Sequence, residues 1–338
     1  MVDGVRVPIK TGLKLLGLWL DGTWGFGKHV ARTASKAAAA ANSLCRLMPN
    51  LRRVGSGARR LYAGVVHSIA LYGAPIWAPK MMATESLKAP MRRVQRLVAI
   101  WVARAYRTTS HAAASTLASL PPMELLADKH AYVFRRTREL QRRNVEISAR
   151  VKKAIRQEAA TALLAKWEEY LDNPALPGRR VVSAVRPVLE DWVNRRGRGL
   201  TFHMTQVLTG HGCFGEYLCR IDKERTTQCH HCAQAVDSAQ HTLEHCPAWA
   251  EERRVLRASV GEDLSLPAIV AAMVEREQNW RAVASFCGGV MAAKEEAERI
   301  RRGEQPAPDQ TDVDGDGGVF RRPRGLPPRN RRWRPPPP

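Results

Sequence analysis

Residues 226–249 read TTQCHHCAQAVDSAQHTLEHCPAW and hold three of the chain's seven cysteines and four of its ten histidines. Four of these side chains have the spacing C-x2-C-x8-H-x4-C: Cys229, Cys232, His241 and Cys246. A Cys-x2-Cys turn directs two thiolates toward one ion, and zinc takes four such ligands at tetrahedral angles. The spacing predicts a structural zinc centre without an open position, so we expect the metal to determine the fold of this segment.

The fourth ligand has an alternative in His245, which lies one helical turn after His241. However, the eight residues between Cys232 and His241 are fewer than the roughly 12 of two-Cys, two-His fingers. Pro247 also favours an extended conformation at Cys246, which would release that thiolate from the helix toward the ion. We therefore favour Cys246. The two histidines inside the Cys-x2-Cys turn are expected to point away into solvent.

The 338-residue chain is strongly basic, with 54 Lys and Arg against 32 Asp and Glu and a formal net charge of +22. A surface of this sign attracts polyanions, so RNA or DNA is the expected partner. The sequence has neither an apolar run of about 18 residues nor a signal-peptide core, so we expect no membrane partner and a nuclear or cytoplasmic location without secretion. The odd number and clustering of the cysteines indicate metal chemistry in place of a disulfide framework.

The hydrophobic pattern predicts a mainly α fold. Two apolar runs on either side of Lys10, Thr11 and Gly12 predict a short N-terminal β-hairpin, and helical periodicity follows almost without interruption. The Pro/Gly/Arg-rich end of the chain cannot bury enough apolar surface to fold, so we expect it to be disordered. We divide the chain into a β-hairpin (1–24), a helical bundle (25–121), a basic helical tract (122–199), a zinc-knuckle module (200–257), C-terminal helices (258–302) and a disordered tail (303–338).

Three helices are expected in the bundle and two more over 251–302. The first covers 27–48, the second runs from Gly57 to a stop at Pro75, and the third covers 84–105. The apolar face of the second is expected to carry Leu61, Val65 and Ile69, with Trp77 beyond them, and that of the third Met91, Val94, Leu97, Val98 and Trp101.

Arginines on the outer faces of the helices are the candidate nucleic-acid contacts. In the basic tract, acidic partners at i,i+4 spacing are too few to neutralise the positive charge. The side chains expected to contact phosphates are Arg92, Arg93, Arg96, Arg135, Arg136, Arg142 and Arg143.

Several motifs together resemble a known family. Residues 200–221 (LTFHMTQVLTGHGCFGEYLCRI), followed by the C-x2-C-x8-H-x4-C element, look like the C-terminal zinc-knuckle region of the reverse transcriptase polyproteins of non-LTR (LINE-type) retrotransposons, particularly those of arthropods. LKLLGLWLD (13–21) resembles the strand pair that follows the polymerase palm, while HSIALYGAPIW (67–77) and RAYRTTSHAAASTLASLPPMEL (104–125) resemble thumb and post-thumb helices. The resemblance implies a thumb-like bundle and a primer-grip-like role for Leu16 and Gly17, although Leu15 stands where the family usually has an aromatic residue.

The polymerase activity of that family requires a Phe/Tyr-x-Asp-Asp motif, which supplies paired carboxylates for two metal ions. The chain contains no Asp-Asp pair. We therefore expect the tail end of a longer polyprotein, inactive alone, which grips template-primer or target nucleic acid and has the palm-containing part as a second partner. The alternative function is a host-adapted protein that binds partner proteins through its helices and Pro/Arg tail.

Overall fold

The computed structural model describes residues 11–47, 55–195 and 197–303. Within them a two-stranded hairpin precedes a series of α-helices, which confirms the mainly α fold class. The expected disordered tail lies, apart from Gly303, outside the described residues. The elements are β1 (Gly12–Leu15), β2 (Leu18–Asp21), α1 (Gly27–Leu47), α2 (Ser56–Ala70), α3 (Ala74–Ala83), α4 (Glu85–Ala103), α5 (His111–Ala118), α6 (Met123–Arg142), α7 (Ala149–Asp172), α8 (Arg179–Val185), α9 (Leu189–Asn194), α10 (Phe202–Thr209), α11 (Gly215–Arg220), α12 (Ala250–Val260), α13 (Leu266–Glu275) and α14 (Glu277–Arg301).

The predicted hairpin is present with its turn at Leu16 and Gly17; of the predicted turn, Gly12 begins β1 and Lys10 lies outside the described residues. The antiparallel strands pair Gly12 with Asp21 and Leu15 with Leu18. Both turn residues have positive φ, 46° at Leu16 and 88° at Gly17. A two-residue turn of this hand matches the twist of the strands, and glycine adopts it at little cost. The turn therefore depends on the left-handed backbone at Leu16 and Gly17.

The helix expected from Gly57 to Pro75 is two helices. α2 ends at Ala70, and Gly73 follows in the left-handed region with φ 67°. Pro75 does not stop a helix but occupies the first turn of α3. A proline is accepted there because the amide N–H groups of the first turn have no partner within the helix.

The buried face of α2 also differs from the predicted one. Leu61 and Val65 are 67% and 43% exposed, whereas Ala63, Val66 and Ala70 are buried. α1 packs on this face with its own alanines, so small side chains mark the contact between the two helices. The prediction, which used hydrophobicity alone, chose the larger residues Leu61 and Val65, whose side chains are exposed.

Two further boundaries differ from the predictions. The first part of the basic tract is two long helices, α6 and α7, separated by a turn at residues 143–148, and the shorter α8 and α9 follow before residue 199. Residues 251–302 form three helices and not two: α12 ends before Gly261, which has φ 95°, and the extended residue Arg276 separates α13 from α14.

One buried cluster joins the hairpin, the helical bundle and the C-terminal helices, from Leu18 to Met291, with Trp77, Trp167 and Trp192 among its largest side chains. α14 contributes to it by packing on α10, α12 and α13. In the part of the chain that the structure describes, no single helix is long and apolar enough to cross a membrane, although α2 and α3, bent by 87° at their junction, pass that criterion as a pair.

Candidate metal centre and basic surfaces

The four predicted ligands come together. Their ligand atoms all lie within 4.8 Å of one another. The Sγ atoms of Cys229 and Cys246 are 3.9 Å apart, and Cys232 Sγ lies 3.2 Å from His241 Nε2. Ligand atoms around a tetrahedral zinc are separated by roughly 3.5–3.8 Å. The cluster could therefore hold one metal ion and has the donor set that zinc prefers.

Two backbone turns position these side chains. Cys229 N–H donates to Gln234 O at 2.8 Å and Ala233 N–H to Cys229 O at 2.8 Å, with Ala233 at φ 60°, which closes the loop around the first two cysteines. A π-helical turn, His241–His245, then ends at Cys246, whose φ of −58° and ψ of 116° are extended. This is the release of the last thiolate that we expected from Pro247.

Two of the three thiols, those of Cys229 and Cys246, lie in a setting that opposes ionisation. Burial raises the pKa of Cys229, although the amide N–H groups of His231 and Cys232 lower it in part. Burial likewise raises the pKa of Cys246 to about 12. Burial also raises the pKa of Cys232, but the Gln234 N–H and the neighbouring thiols outweigh it and lower the pKa overall. A bound cation would have to displace protons from these thiols.

The other histidines lie outside the cluster. The side chain of His245 is 70% exposed and lies 3.0 Å from Glu244, which agrees with the choice of Cys246 as the closing ligand. His230 is exposed, as expected. His231 differs from the expectation, because it is half-buried with its ring 4.9 Å from that of Trp249.

A buried ion pair that sequence reasoning missed fixes the cluster to the body. Lys294 Nζ on α14 donates to both carboxylate oxygens of Asp237 at 2.9 Å, and the two side chains are 1% and 5% exposed. Asp237 also accepts from the Gly215 N–H at 3.1 Å. These partners are 57 and 22 residues away in sequence, so no local pattern identifies them.

Gly215, at the start of α11, allows the backbone of Thr227 and Gln228 to approach it closely. A Cβ on Gly215 would lie 2.6 Å from Thr227 O and 2.9 Å from Gln228 O, which are backbone atoms of the segment leading into the metal cluster. Side-chain rearrangement cannot relieve such a contact. A glycine is therefore needed where α11 meets the module.

Two of the motifs within the segments that resemble the family, YRTTS (106–110) and TGHG (209–212), contact each other. His211 of TGHG stacks on Tyr217 with ring centroids 4.8 Å apart, and its Nδ1 lies 3.2 Å from Thr108 Oγ1 of YRTTS. Thr108 Oγ1 is 2.9 Å from the Tyr217 hydroxyl. Residues about a hundred positions apart thus form one polar junction between the bundle and the segment before the metal cluster.

The three predicted contact arginines of α4 differ in their surroundings. Arg92 pairs with Glu85 and with Glu124, whose side chain is 4% exposed. Arg96 donates to the backbone carbonyls of Thr109, at 2.7 Å, and Arg107. Both arginines therefore hold structure together and are half-buried, not directed outward as predicted. Arg93 is exposed and takes part in no ion pair among the described residues.

The predicted arginines of the basic tract lie near the end of α6. Arg135 and Arg142 are exposed. Arg136 and Arg143 both pair with Glu139, at 2.9 and 2.7 Å. The contact of any of them with nucleic acid stays a prediction.

Leu16 and Gly17, implied to be primer-grip-like, form the exposed tip of the hairpin. Leu16 is 83% exposed, and its carbonyl accepts from the Tyr72 hydroxyl at 2.8 Å. Leu13 and Leu15 are 60% and 51% exposed on β1. The hairpin therefore presents apolar side chains to the outside.

No protein-family model and no solved structure matches the chain significantly. Curated proteins of two insects do. The chain is 24% identical over 307 residues to "Retrovirus-related Pol polyprotein from type-1 retrotransposable element R1 4" of Nasonia vitripennis, which covers 88% of the chain and 76% of that protein. It is 25% identical over 260 residues to "Putative 115 kDa protein in type-1 retrotransposable element R1DM" of Drosophila melanogaster, which covers 74% of the chain but 25% of that much longer protein.

Proposed function

We propose, from the premise that this chain is a region of an arthropod LINE-type (non-LTR) retrotransposon polyprotein, that it binds the element's RNA or its DNA target. The observation that carries the proposal is the excess of exposed positive charge. The formal net charge is +22, and many exposed lysines and arginines of the described residues belong to no ion pair. Such charges release counterions from a nucleic acid on binding, which supplies affinity without sequence preference.

Zinc is the proposed structural ion of the module. Cys229, Cys232, His241 and Cys246 would hold it, and three thiolates with one imidazole fill a tetrahedral shell. When bound, the ion would contribute folding free energy to a segment with little core of its own. Nothing in this donor set leaves a position for a reacting water, so the role is structural.

A second proposed partner is protein, and the apolar hairpin tip is the observation that favours it. Leu13, Leu15 and Leu16 are more than half exposed beside Tyr72, which is 55% exposed. Exposed apolar side chains of this kind are typical of protein contacts. The palm-containing part of the same polyprotein is the partner that we favour, in the nucleus or cytoplasm. A host-adapted protein-binding role, our alternative function, would use the same surface.

Binding of the zinc-loaded chain to two unrelated structured RNAs and one DNA duplex tests the proposed function, with fluorescence anisotropy at about 0.05 M salt, where the electrostatic contribution is large. We expect binding to all three with similar affinities, because phosphates carry most of the energy. Failure to bind any of them at this salt would contradict the function and favour the protein-binding alternative.

A further inference from the structure

The adjoining ends of α6 and α7 project from the body as an arm, which we define as residues 132–154. The buried residues of α6 all lie between Met123 and Ala131, and those of α7 begin at Ile155. No residue from 132 to 154 is buried. At 1.5 Å per residue, the part of α6 within the arm extends about 15 Å beyond the core.

The arm is an ordered helical hairpin. α6 and α7 run antiparallel: Lys166 of α7 donates to Asp128 of α6 at 2.6 Å, and nearer the tip Tyr132 of α6 and Ala159 of α7 line the same small cavity. At the tip, the Ser148 hydroxyl accepts from Val151 N–H at 3.3 Å and caps α7. A capped antiparallel pair holds its side chains at fixed positions along both helices.

The arm and the first turn beyond it carry more positive charge than their few acidic residues pair with. Arg136 and Arg143 share Glu139. In the described part of the chain no ion pair includes any of seven further exposed cations on these two helices, which are Arg135, Arg138, Arg142, Arg150, Lys152, Lys153 and Arg156.

This distribution is unfavourable for the arm by itself. Arg135 and Arg138, and likewise Lys152 and Arg156, are three or four residues apart on one helix, where like charges repel each other and destabilise it. An arm that faced only solvent would be more stable with acidic residues placed between its basic ones. The arrangement therefore indicates an anionic ligand that offsets the repulsion.

We propose that this arm is the part of the chain that binds the phosphates of double-helical nucleic acid. The inference rests on the proposed function and assigns its main contact surface. A duplex carries one charge per roughly 1.7 Å of its axis, so an arm of about 15 Å faces on the order of nine phosphates. Phe134, 51% exposed, is the one large aromatic side chain that is exposed on the arm. Single strands are held by stacking on several aromatic rings, so the duplex is the favoured class.

The test compares two quadruple substitutions in the full zinc-loaded chain. The arm variant carries Arg135→Gln, Arg142→Gln, Lys152→Gln and Arg156→Gln. Glutamine keeps helix propensity close to that of arginine and lysine, so the arm should stay helical, which circular dichroism checks.

The matched control removes the same number of charges from exposed sites elsewhere: Lys14→Gln, Lys36→Gln, Lys80→Gln and Lys223→Gln. Both variants are titrated against a random-sequence DNA duplex, an RNA–DNA hybrid and the corresponding single strand.

We expect the arm variant to lose about 30-fold or more in duplex affinity at about 0.15 M salt, as the loss of two or three phosphate contacts would produce. The control should lose several-fold less, and the arm variant should weaken the hybrid as much as the DNA duplex. Equal losses in the two variants, or a larger loss for the single strand than for the duplexes, would overturn the assignment of the arm. The wild-type chain would still bind in that case, so the proposed function would stand.

Discussion

Cys232 and His230 are two residues apart, yet we expect opposite results from their substitution. Cys232→Ser removes a ligand of the metal cluster and should abolish stoichiometric zinc and unfold residues 225–250. His230→Ala should retain one zinc per chain, because its side chain lies outside the cluster. Metal content by atomic absorption and backbone amide exchange measure both effects.

The same measurement distinguishes the two candidates for the fourth ligand. His245→Ala should keep the metal and Cys246→Ala should lose it. Zinc that survives Cys246→Ala but is lost with His245→Ala would show that the closing ligand is wrong.

His67 should make stability depend on pH. Burial lowers its pKa from 6.5 to about 4. Below pH 6.5 the unfolded chain therefore binds a proton at this residue that the folded chain does not take up until about pH 4, so stability is complete above 6.5 and falls as the pH drops toward 4. We expect His67→Leu to reduce the difference between urea midpoints at about pH 7.5 and about pH 5. Both proteins are loaded with zinc, so that any loss of metal at the lower pH affects the wild type and the variant alike. An unchanged difference would contradict the burial of a neutral histidine.

At the scale of single residues, the spacing of residues 226–249 was sufficient to predict which four side chains come together in a cluster that could hold a metal ion, because such a site imposes its geometry on nearby sequence. It was not sufficient for Asp237 and Lys294. An isolated aspartate and lysine carry no periodic signal, and only the packing of α14 brings them together.

At the scale of elements, the attachment of the metal module to α14 depends on that ion pair. Asp237→Asn leaves the Lys294 ammonium buried without its counterion, and we expect a loss of about 3–5 kcal/mol in the free energy of unfolding. The double variant Asp237→Asn with Lys294→Met should lose less than the sum of the single variants, since no buried charge is left over. Urea denaturation measures all three, and strict additivity would show that the two side chains do not interact.

The helices that sequence reasoning placed correctly, α1 and α4, have long uniform patterns and clear ends. α2 was assigned the wrong face because alanines make its contact with α1. Where two helices pack at close range, small side chains lie at the contact and larger apolar ones lie outside it. The hairpin turn and the break at Gly261 both depend on positive φ at a glycine, which sequence alone does not distinguish from an ordinary loop glycine.

At the scale of the whole molecule, the insect relatives confirm the resemblance to LINE-type retrotransposon polyproteins that the order of the motifs indicated. YRTTS and TGHG contact each other, so each motif forms part of the surroundings of the other.

We expect the chain alone neither to extend a primer nor to nick DNA. Phosphoryl transfer by two metal ions needs carboxylates that converge on metals about 4 Å apart, and the sequence has no Asp-Asp pair. Primer extension and plasmid nicking with magnesium or manganese test this, with a zinc-stripped sample as control. Activity that co-purifies with the chain and disappears on substitution of Asp309 or Asp312, which lie outside the described residues, would reveal an unrecognised active site.

The salt dependence of duplex binding tests the central claim, nucleic-acid binding through phosphate contacts, most directly. If about six phosphates are neutralised, a plot of log affinity against log salt should be linear with a slope near −5. Unrelated duplex sequences should give the same slope. A flat response to salt would contradict electrostatic binding and point instead to a hydrophobic contact with a protein.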